Sequence, residues 1–320
     1  MGNTPIRILR LAALMLLVAP IAACSGADRP DPAATSASTA VVNCGHTLSL
    51  SSPPEKVLIG YPTVWETMNA LGVADRVSGT LSGDSTALPR GGESVKVVSP
   101  LYNVPREVLL ASQTDLVVFT TEAQMSGEDG TATFDDLKQA GITPYVMQGN
   151  CLEPSANDDI ATVYSDIRAL GQLFGVTERA DQLAEESQRR VEAVAARRGD
   201  KPAPRVAFLQ VYDGKLYALG GSNYAAVLGA LGAVNEFDDL GTAFSEVSTE
   251  AALKIKADHL VVVYDASTTP EKGAAEIKRL LPSAAPVTRG AVSTANTDDF
   301  QVGGTSLVDV TEEIGKAIYP

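Results

Sequence analysis

Short apolar runs alternate with amphipathic stretches along most of the chain after residue 45. In the first half they predict strands at 56–60, 115–119 and 144–148 and helices near 63–72, 104–112 and 133–140. This alternation is typical of a mostly parallel sheet covered by helices. The first half is therefore predicted to be an α/β lobe over residues 45–155.

The same alternation restarts after residue 204. It predicts strands at 205–212 and 259–264 and helices near 223–232, 248–255, 270–281 and 304–318. The sequence therefore predicts an α/β protein in which a second lobe, over residues 203–320, follows the first along the chain.

A long amphipathic stretch from Thr177 to Gly199 separates the two lobes. Its apolar positions, among them Ala180 and Val191, fall on one face of a helix, Thr177 can cap its start and Gly199 can end it. At 1.5 Å per residue such a helix is roughly 30 Å long. We predict that it lies in a connecting segment, residues 156–202, and joins the lobes. A long helix inside one continuous domain is the alternative that the pattern leaves open.

One phrase occurs in both lobes, as REVLLASQTDLVVF and as TEAALKIKADHLVVV. Each copy has a glutamate near its start, an aspartate eight positions after that glutamate, and an apolar strand after the aspartate. The pairs are Glu107 with Asp115 and Glu250 with Asp258. An acidic residue at a helix start is also favoured by the helix dipole, by about 0.3 to 1 kcal/mol. Each glutamate alone therefore has a purely structural explanation.

The first residues of the chain have the layout of a secretory signal. Residues 1–23 contain Arg7 and Arg10, then the apolar run LAALMLLVAPIAA, and Cys24 follows. The run is too short to cross a bilayer, which takes about 20 apolar residues. The sequence IAAC resembles the bacterial lipobox, so Cys24 is predicted to carry the lipid anchor. Ordinary cleavage after a small residue is the alternative.

The stretch after Cys24 is rich in Ser, Ala, Thr and Pro and shows no apolar period. It predicts a flexible tether over residues 24–44. The whole chain has 25 basic and 39 acidic residues, a formal net charge of −14. This acidity argues against a nucleic acid as partner and against a basic face on an anionic membrane.

Two cysteines remain once Cys24 is assigned to the anchor. In an oxidising compartment, Cys44 and Cys151 are expected to form a disulfide, worth roughly 4 to 5 kcal/mol on the chain-entropy model. Two buried free thiols are the alternative. We expect no metal site, because two cysteines do not complete a tetrahedral zinc site and the only histidines are His46 and His259.

Several sequence signatures of enzymes are missing from the chain. It contains no G-x-S-x-G elbow, no G-x-x-x-x-G-K-[ST] loop and no H-E-x-x-H helix. The acidic loop GEDGTATFDD lacks the ligand spacing of an EF-hand. We therefore predict that the protein is not an enzyme.

Four phrases and their order suggest a known family: VWETMNALGVADRVSG, REVLLASQTDLVVF, IRALGQLFGVTERADQLAEE and STEAALKIKADHLVVV. With the lipobox and the two lobes, the chain resembles the helix-backbone (class III) periplasmic binding proteins of iron-siderophore, haem and cobalamin ABC importers. The resemblance implies two Rossmann-like lobes joined by a single long α-helix, with a ligand cleft between the lobes. The chain has Thr114 and Ala257 where the family often has a proline.

The resemblance also implies partners and a location. Glu107 and Glu250 correspond to the glutamates that contact arginines of the permease dimer, one glutamate from each lobe. The protein is then expected to be a monomer without a cofactor, held outside the cytoplasm on the cell membrane by its lipid. A surface interaction protein that kept the fold but lost transport is an alternative.

Loops that follow strands are expected to line the cleft. The candidate ligand contacts are Tyr61, Trp65, Arg90, Tyr102, Tyr212, Asn223, Tyr224 and Tyr264. Aromatic side chains hold large planar or apolar ligands, although each one can also be a core residue.

The expected ligand is an iron chelate. Few basic residues fall in the predicted cleft loops, and Arg90 is the nearest candidate. A hydroxamate-type or near-neutral ferric siderophore is therefore favoured over a highly anionic catecholate. Neither histidine is well placed for haem iron, although a tyrosine can ligate haem. Haem and cobalamin are therefore the alternative ligands.

Overall fold

The computed structural model describes residues 39–81, 91–92, 95–99, 103–152, 159–237 and 244–320. The predicted signal peptide, Cys24, Arg90 and Tyr102 lie outside these residues. The described residues belong to one folded unit. Within the described ranges, no helix combines the length and the apolar character that a membrane span requires.

The first lobe begins with an antiparallel hairpin of β1 (Thr39–Asn43) and β2 (His46–Leu50). Its further elements are β3 (Val57–Ile59), α1 (Val64–Leu71), β4 (Val77–Leu81), β5 (Val97–Ser99), α2 (Arg106–Ala111), β6 (Leu116–Phe119), α3 (Phe134–Gln139) and β7 (Thr143–Val146). A five-stranded parallel sheet has the order β5-β4-β3-β6-β7. All four residues of β6 are buried, as expected for a parallel strand with both faces covered.

Two helices, α4 (Ala161–Phe174) and α5 (Thr177–Ala195), follow the first lobe and pack against each other. Gly175 ends α4 in the left-handed conformation at φ 71°, which glycine adopts without a steric cost. The predicted long helix is confirmed as α5, which continues into a 3₁₀ turn at Ala196–Arg198.

The second lobe consists of β8 (Arg205–Tyr212), β9 (Lys215–Leu219), α6 (Ser222–Leu231), β10 (Val234–Asn235), β11 (Phe244–Glu246), α7 (Thr249–Leu253), β12 (His259–Tyr264), α8 (Pro270–Leu280), α9 (Ala285–Thr288), β13 (Val292–Asn296), α10 (Asp298–Gln301) and α11 (Thr305–Ile318). Its sheet has the order β11-β9-β8-β12-β13, and β10 pairs with the start of β8. Strands β8, β12 and β13 are parallel, whereas β9 runs antiparallel to β8 and β11.

Helix α5 connects the lobes by packing on α1 of the first lobe and on α6 and α11 of the second. At one end, Arg179 Nε donates to the carbonyl oxygen of Ala70 at 2.7 Å. Further along, Arg190 forms ion pairs with Asp309 at 2.7 Å and Glu312 at 2.6 Å on α11. The predicted architecture of two α/β lobes joined by a long helix is confirmed.

The aspartates of the repeated phrase have the same structural role in both lobes. Asp115 precedes β6, and its Oδ2 accepts from the amide of Lys56, just before β3, at 2.8 Å. Asp258 precedes β12, and its Oδ2 accepts from the amide of Arg205, at the start of β8, at 2.9 Å. Each aspartate therefore attaches the start of a central strand to its neighbour. Part of the repeat is explained by folding alone.

Two features differ from the sequence prediction. Strand β1 lies inside the tether predicted over residues 24–44, so that prediction was wrong for its last part: Val41 is buried and packs in the core. The strands β4, β5, β9 and β13 were not predicted. In β4 (VSGTL) and β13 (VSTAN) small and polar residues replace most of the apolar ones, so neither strand gives the signal of a buried apolar run.

Candidate ligand-binding cleft

A cavity of about 990 Å³ lies at the carboxyl ends of the parallel strands of both lobes. The segments after β3, β6 and β7 line one side of it, and the ends of β8, β12 and β13 with the residues that follow line the other. Open α/β sheets place their ligand sites at this edge. We call this cavity the ligand cleft.

Tyr61 enters the cleft directly after Gly60, where β3 passes close to β6. A Cβ atom on Gly60 would lie 2.8 Å from the carbonyl oxygen of Val118 and 3.0 Å from the amide of Thr120. Only glycine fits this approach, and its amide donates to the Val118 carbonyl at 2.6 Å. The close contact fixes the backbone from which Tyr61 extends.

The turn at Thr120 and Thr121 is held by side-chain hydrogen bonds. Gln124 Oε1 accepts from the amide and the hydroxyl of Thr120, at 3.0 and 2.9 Å. Glu122 Oε2 accepts from the amide of Leu152 at 2.8 Å. The turn is thereby connected to the loop after β7, which also lines the cleft.

Cys44 and Cys151 form a disulfide, with Cα atoms 5.4 Å apart. It connects the β1–β2 turn to the loop that carries Asn150, a residue of the cleft. With Glu122, these cysteines are the one group of three potential metal ligands among the described residues. Because the sulfurs are bonded to each other, they are not thiolates and cannot bind a metal as such.

Three aromatic rings pack beneath the second-lobe side of the cleft. Tyr224 stacks on Phe300 with ring centroids 4.3 Å apart, and Phe208 meets both rings edge-on, at 5.1 and 5.7 Å. Burial raises the pKa of the Tyr224 phenol well above its ordinary value. The Tyr224 phenol therefore remains a neutral hydrogen-bond donor even in alkaline solution, where an ordinary tyrosine ionises.

A second aromatic cluster lies nearer to solvent and consists of Tyr212, Tyr217 and Phe244; we call it the aromatic group. Phe244 stacks on Tyr217 with centroids 4.1 Å apart, and Tyr212 meets both rings edge-on at 6.4 Å. Tyr212 and Phe244 line the cleft and are 52% and 46% exposed. Their mutual packing orders the rings while it leaves apolar surface open to a ligand.

Two carboxylates also line the cleft. Asp265 accepts from the side chain of Gln210 at 3.1 Å and from the amide of Ser267 at 2.9 Å. Asp298 accepts a hydrogen bond from the Tyr61 hydroxyl at 2.6 Å. The acidic side chains are thus oriented by neutral donors.

Four of the eight candidate ligand contacts lie in the cleft: Tyr61, Tyr212, Asn223 and Tyr224. The Asn223 side chain is buried and donates to the carbonyl oxygen of Phe300 at 2.8 Å. Asn223 therefore supports the aromatic residues of the cleft as well as lining it. Arg90 and Tyr102 lie outside the described residues.

The structure places Trp65 and Tyr264 outside the cleft, in contrast to the sequence prediction. The Trp65 ring packs on the core and over Gly91, where an added Cβ would lie 2.9 Å from it. Tyr264, the last residue of β12, borders a smaller cavity of about 250 Å³ that is also lined by Glu66, Asp299 and Glu313. A position next to a strand end does not by itself place a side chain in the cleft. The face of the strand or helix on which the residue lies decides where its side chain points.

Among the residues of the cleft that were not predicted from the sequence are Gln210, Phe244, Asp265 and Asp298. Asp265 directly follows a strand that was predicted, so its position after β12 was an available signal. Asp298 follows β13, which was not predicted, and Phe244 comes from the opposite edge of the sheet. Only the tertiary fold brings these two residues to the cleft.

Glu107 and Glu250 lie outside the cleft and are exposed. Each is the second residue of its helix, α2 or α7. Glu250 also pairs with Lys254 at 2.7 Å, one turn further along α7. The repeated phrase thus presents one exposed carboxylate at an equivalent position of each lobe.

The fold and the cleft define a substrate-binding protein. The sequence pattern of the family described as "Periplasmic binding protein" matches residues 57–279, and the chain belongs to this family. Its members are substrate-binding proteins of transport systems and are not enzymes.

Similar proteins support the same class. The chain is 24% identical over 280 residues to the "Uncharacterized ABC transporter substrate-binding lipoprotein YvrC" of Bacillus subtilis, covering 85% of this chain and 82% of that protein. An ABC-type Fe3+-hydroxamate transport system structure from Saccharomonospora viridis superimposes with a TM-score of 0.69 and 23% identity, over 87% of this chain and 98% of that one. The structure of the haem-binding protein HutB of Vibrio cholerae superimposes with a TM-score of 0.65 and 17% identity. The match covers 83% of this chain and 99% of that one.

Proposed function

We propose that the chain is the lipid-anchored substrate-binding protein of an ABC importer, and that it captures a ferric siderophore and delivers it to a membrane permease. The observation that carries this proposal is the ligand cleft of about 990 Å³. Sites for small molecules commonly measure about 300 to 1,000 Å³. The cleft is therefore large enough for a chelate of several hundred daltons.

The chemistry of the cleft favours a hydroxamate-type or near-neutral chelate. Its described lining residues include aromatic rings, amides, hydroxyl groups and two carboxylates. A ferric catecholate with several negative charges would meet Asp265 and Asp298 without a described cation to balance it. The similarity to a structure named for Fe3+-hydroxamate transport agrees with this choice.

Haem is the second candidate, with cobalamin as a further alternative in the same family. Tyrosine is one of the residues that ligate haem iron in proteins. Tyr212 is exposed and lines the cleft. A structural relative is itself named as a haem-binding protein.

Delivery requires contact with the permease, and we propose that Glu107 and Glu250 make it. Both are exposed at the second position of a short helix, one in each lobe. Their equal placement suits a permease with two equivalent arginine sites. The anchor is proposed to be lipid on Cys24, in agreement with the name of the relative as a lipoprotein.

Calorimetric titration of the mature protein tests the proposed ligand class. The probes are a neutral ferric trihydroxamate, a ferric triscatecholate, haem and cobalamin. Calorimetry is preferable to tryptophan emission, because Trp65 is the only tryptophan and lies outside the cleft. We expect the trihydroxamate to bind more tightly than the triscatecholate. Binding of none of the four probes would refute capture of an iron chelate or a tetrapyrrole.

A further inference from the structure

The two carboxylates of the ligand cleft have no cationic partner among the residues that the structure describes. Among the described residues that line the cleft there is no lysine, arginine or histidine. Neither Asp265 nor Asp298 belongs to an ion pair of the described part of the chain. Their hydrogen-bond donors are an amide side chain, a backbone amide, a seryl hydroxyl and a phenol. The described residues of the cleft therefore carry an excess of negative charge.

Both carboxylates come from the same edge of the second sheet. Asp265 directly follows β12, and Asp298 lies two residues after β13. The two strands are parallel neighbours, with Tyr264 opposite Asn296 at their ends. A ligand at this edge therefore meets a negative field that two adjacent strands produce together.

The aromatic group lies beside Gln210, which donates to one of these carboxylates and is paired with Tyr217 across β8 and β9. The Asp265 carboxylate accepts a hydrogen bond from the Gln210 side chain. Tyr212 lies two positions after Gln210 on the same face of β8, so the Cα atoms of Gln210 and Tyr212 are about 7 Å apart. Tyr212 in turn contacts Phe244. The face of an aromatic ring attracts cations, and most strongly where water is excluded.

We propose that the natural ligand is a chelate with net positive charge, and that its cationic amine binds between Asp265 and the aromatic group. This inference rests on the proposed function and narrows its substrate class. A carboxylate and ring faces stabilise an ammonium group together. The same surroundings repel an anionic arm and give a neutral arm no charge to pair with. The part of the ligand that holds the metal then contacts the neutral polar part of the cleft.

A pair of probes that differ in one charge tests this inference. Ferrioxamine B is a ferric linear trihydroxamate with a free terminal ammonium, and N-acetylation of that amine makes the complex neutral. We expect wild-type protein to bind the cationic complex about tenfold more tightly than the acetylated one, equivalent to about 1.4 kcal/mol. The preference should decrease as salt is added, because ions screen a partly exposed charge pair.

Two variants test whether Asp265 and the aromatic group cause the preference for the cationic complex. Asp265→Asn keeps the shape of the side chain but removes its charge, and Phe244→Leu removes one ring face. Each should reduce the preference, measured as the ratio of the two affinities within one variant, to a few-fold or less. Asp200→Asn is the matched control, because Asp200 is exposed and lies outside the cleft. Circular dichroism and thermal melting verify that each variant is folded.

The outcomes separate this inference from the function on which it rests. If both complexes bind equally, or the acetylated one binds more tightly, the cationic preference is refuted while capture of hydroxamates stands. If the preference exists but survives Asp265→Asn, its assignment to this carboxylate is wrong. If neither complex binds, and haem and cobalamin also fail, the proposed function itself is refuted, and this inference with it.

Discussion

The Tyr61 hydroxyl donates a hydrogen bond to Asp298 Oδ1 at 2.6 Å, although the two residues are 237 positions apart in the chain. The bond runs from the first lobe to the second, along the ligand cleft. A second connection lies nearby, where the amide of Thr305 donates to Thr67 Oγ1 at 3.1 Å. A Cβ atom on Gly304 would lie 2.7 Å from the same hydroxyl, so the lobes approach closely there. Both contacts restrict how the lobes separate beside the cleft.

The Tyr61→Phe variant removes the hydroxyl donor but keeps the ring. Net contributions of hydrogen bonds to charged groups are about 1.5 to 3 kcal/mol. Because Asp298 is half-buried and can accept from water, we expect the free energy of unfolding to fall by only about 1 kcal/mol. Urea denaturation measures this change. Hydrogen exchange should also become faster in α10, the short helix that begins at Asp298.

Tyr212→Phe is the control, because Tyr212 lines the same cleft but no hydrogen bond of its hydroxyl is described. It should leave the free energy of unfolding within about 0.5 kcal/mol of wild type. Equal stability of Tyr61→Phe and Tyr212→Phe would show that the bond between the lobes contributes nothing in solution.

The disulfide predicts a redox-dependent stability. Reduction, or the Cys44→Ser, Cys151→Ser double variant, should lower the free energy of unfolding, because the unfolded chain is no longer restricted by a loop. We expect a loss of about 2 to 4 kcal/mol, which is typical of disulfides and smaller than the chain-entropy value, since that model often overestimates. Urea denaturation with and without dithiothreitol measures the loss. Dithiothreitol should have no further effect on the double variant. Complete alkylation of both cysteines in the oxidised wild type would contradict the bridge.

The lipid anchor on Cys24 remains a prediction from the sequence. The Cys24→Ala variant should be exported but no longer retained on the membrane, since stable anchoring needs more than one acyl chain and all of them attach there. Labelling of cells with a palmitate analogue, followed by fractionation, measures the attachment. Equal labelling of wild type and variant is the result that excludes this site.

Charge reversal tests the proposed permease contacts. The Glu107→Lys, Glu250→Lys double variant should keep its fold and its ligand affinity, because both residues are exposed and lie outside the cleft. Uptake of radiolabelled chelate should nearly stop, since one lost partner of a buried charge pair costs about 2 to 5 kcal/mol. The matched control is Glu128→Lys, which reverses another exposed acidic residue of the first lobe.

A plain helix-dipole role for the two glutamates makes the opposite forecast. Each substitution would then lower the melting temperature slightly and leave uptake unchanged. Melting temperature and uptake are therefore measured on the same preparations. Normal uptake by the double variant would remove Glu107 and Glu250 from the proposed permease interface.

Elements with a strong local signal were predictable from the sequence. Strand β6 is the apolar run LVVF, and the amphipathic period of α5 extends over five turns, so each element is indicated by its own residues. Strand β13 (VSTAN) is not indicated by its own residues, because its stability comes from pairing with β12 and not from its composition. The prediction of two lobes with mostly parallel sheets was therefore correct, but it lacked several of the strands at the sheet edges.

The candidate site was predictable only where it depends on local position. Tyr61 and Tyr212 follow or end predicted strands, and both line the cleft. Phe244 reaches the cleft because β11 pairs with β9, and no local sequence pattern predicts this pairing. Trp65 is near Tyr61 in sequence but lies on the helix that follows, where its direction is set by the core. Side-chain direction, rather than position in the chain, is what the sequence alone did not determine.

The bridge between Cys44 and Cys151 also determines how the chain carries mechanical load. Strands β2 to β7, and with them the whole sheet of the first lobe, lie between these two cysteines. A pull between the N-terminal segment and the C-terminus therefore passes through the sulfur atoms and bypasses that sheet. The separation of 107 residues corresponds to about 360 Å of extended chain, which such a pull cannot release until the bridge is reduced. Under tension β1 and the chain after Cys151 can extend, while the chain between the two cysteines remains a closed loop.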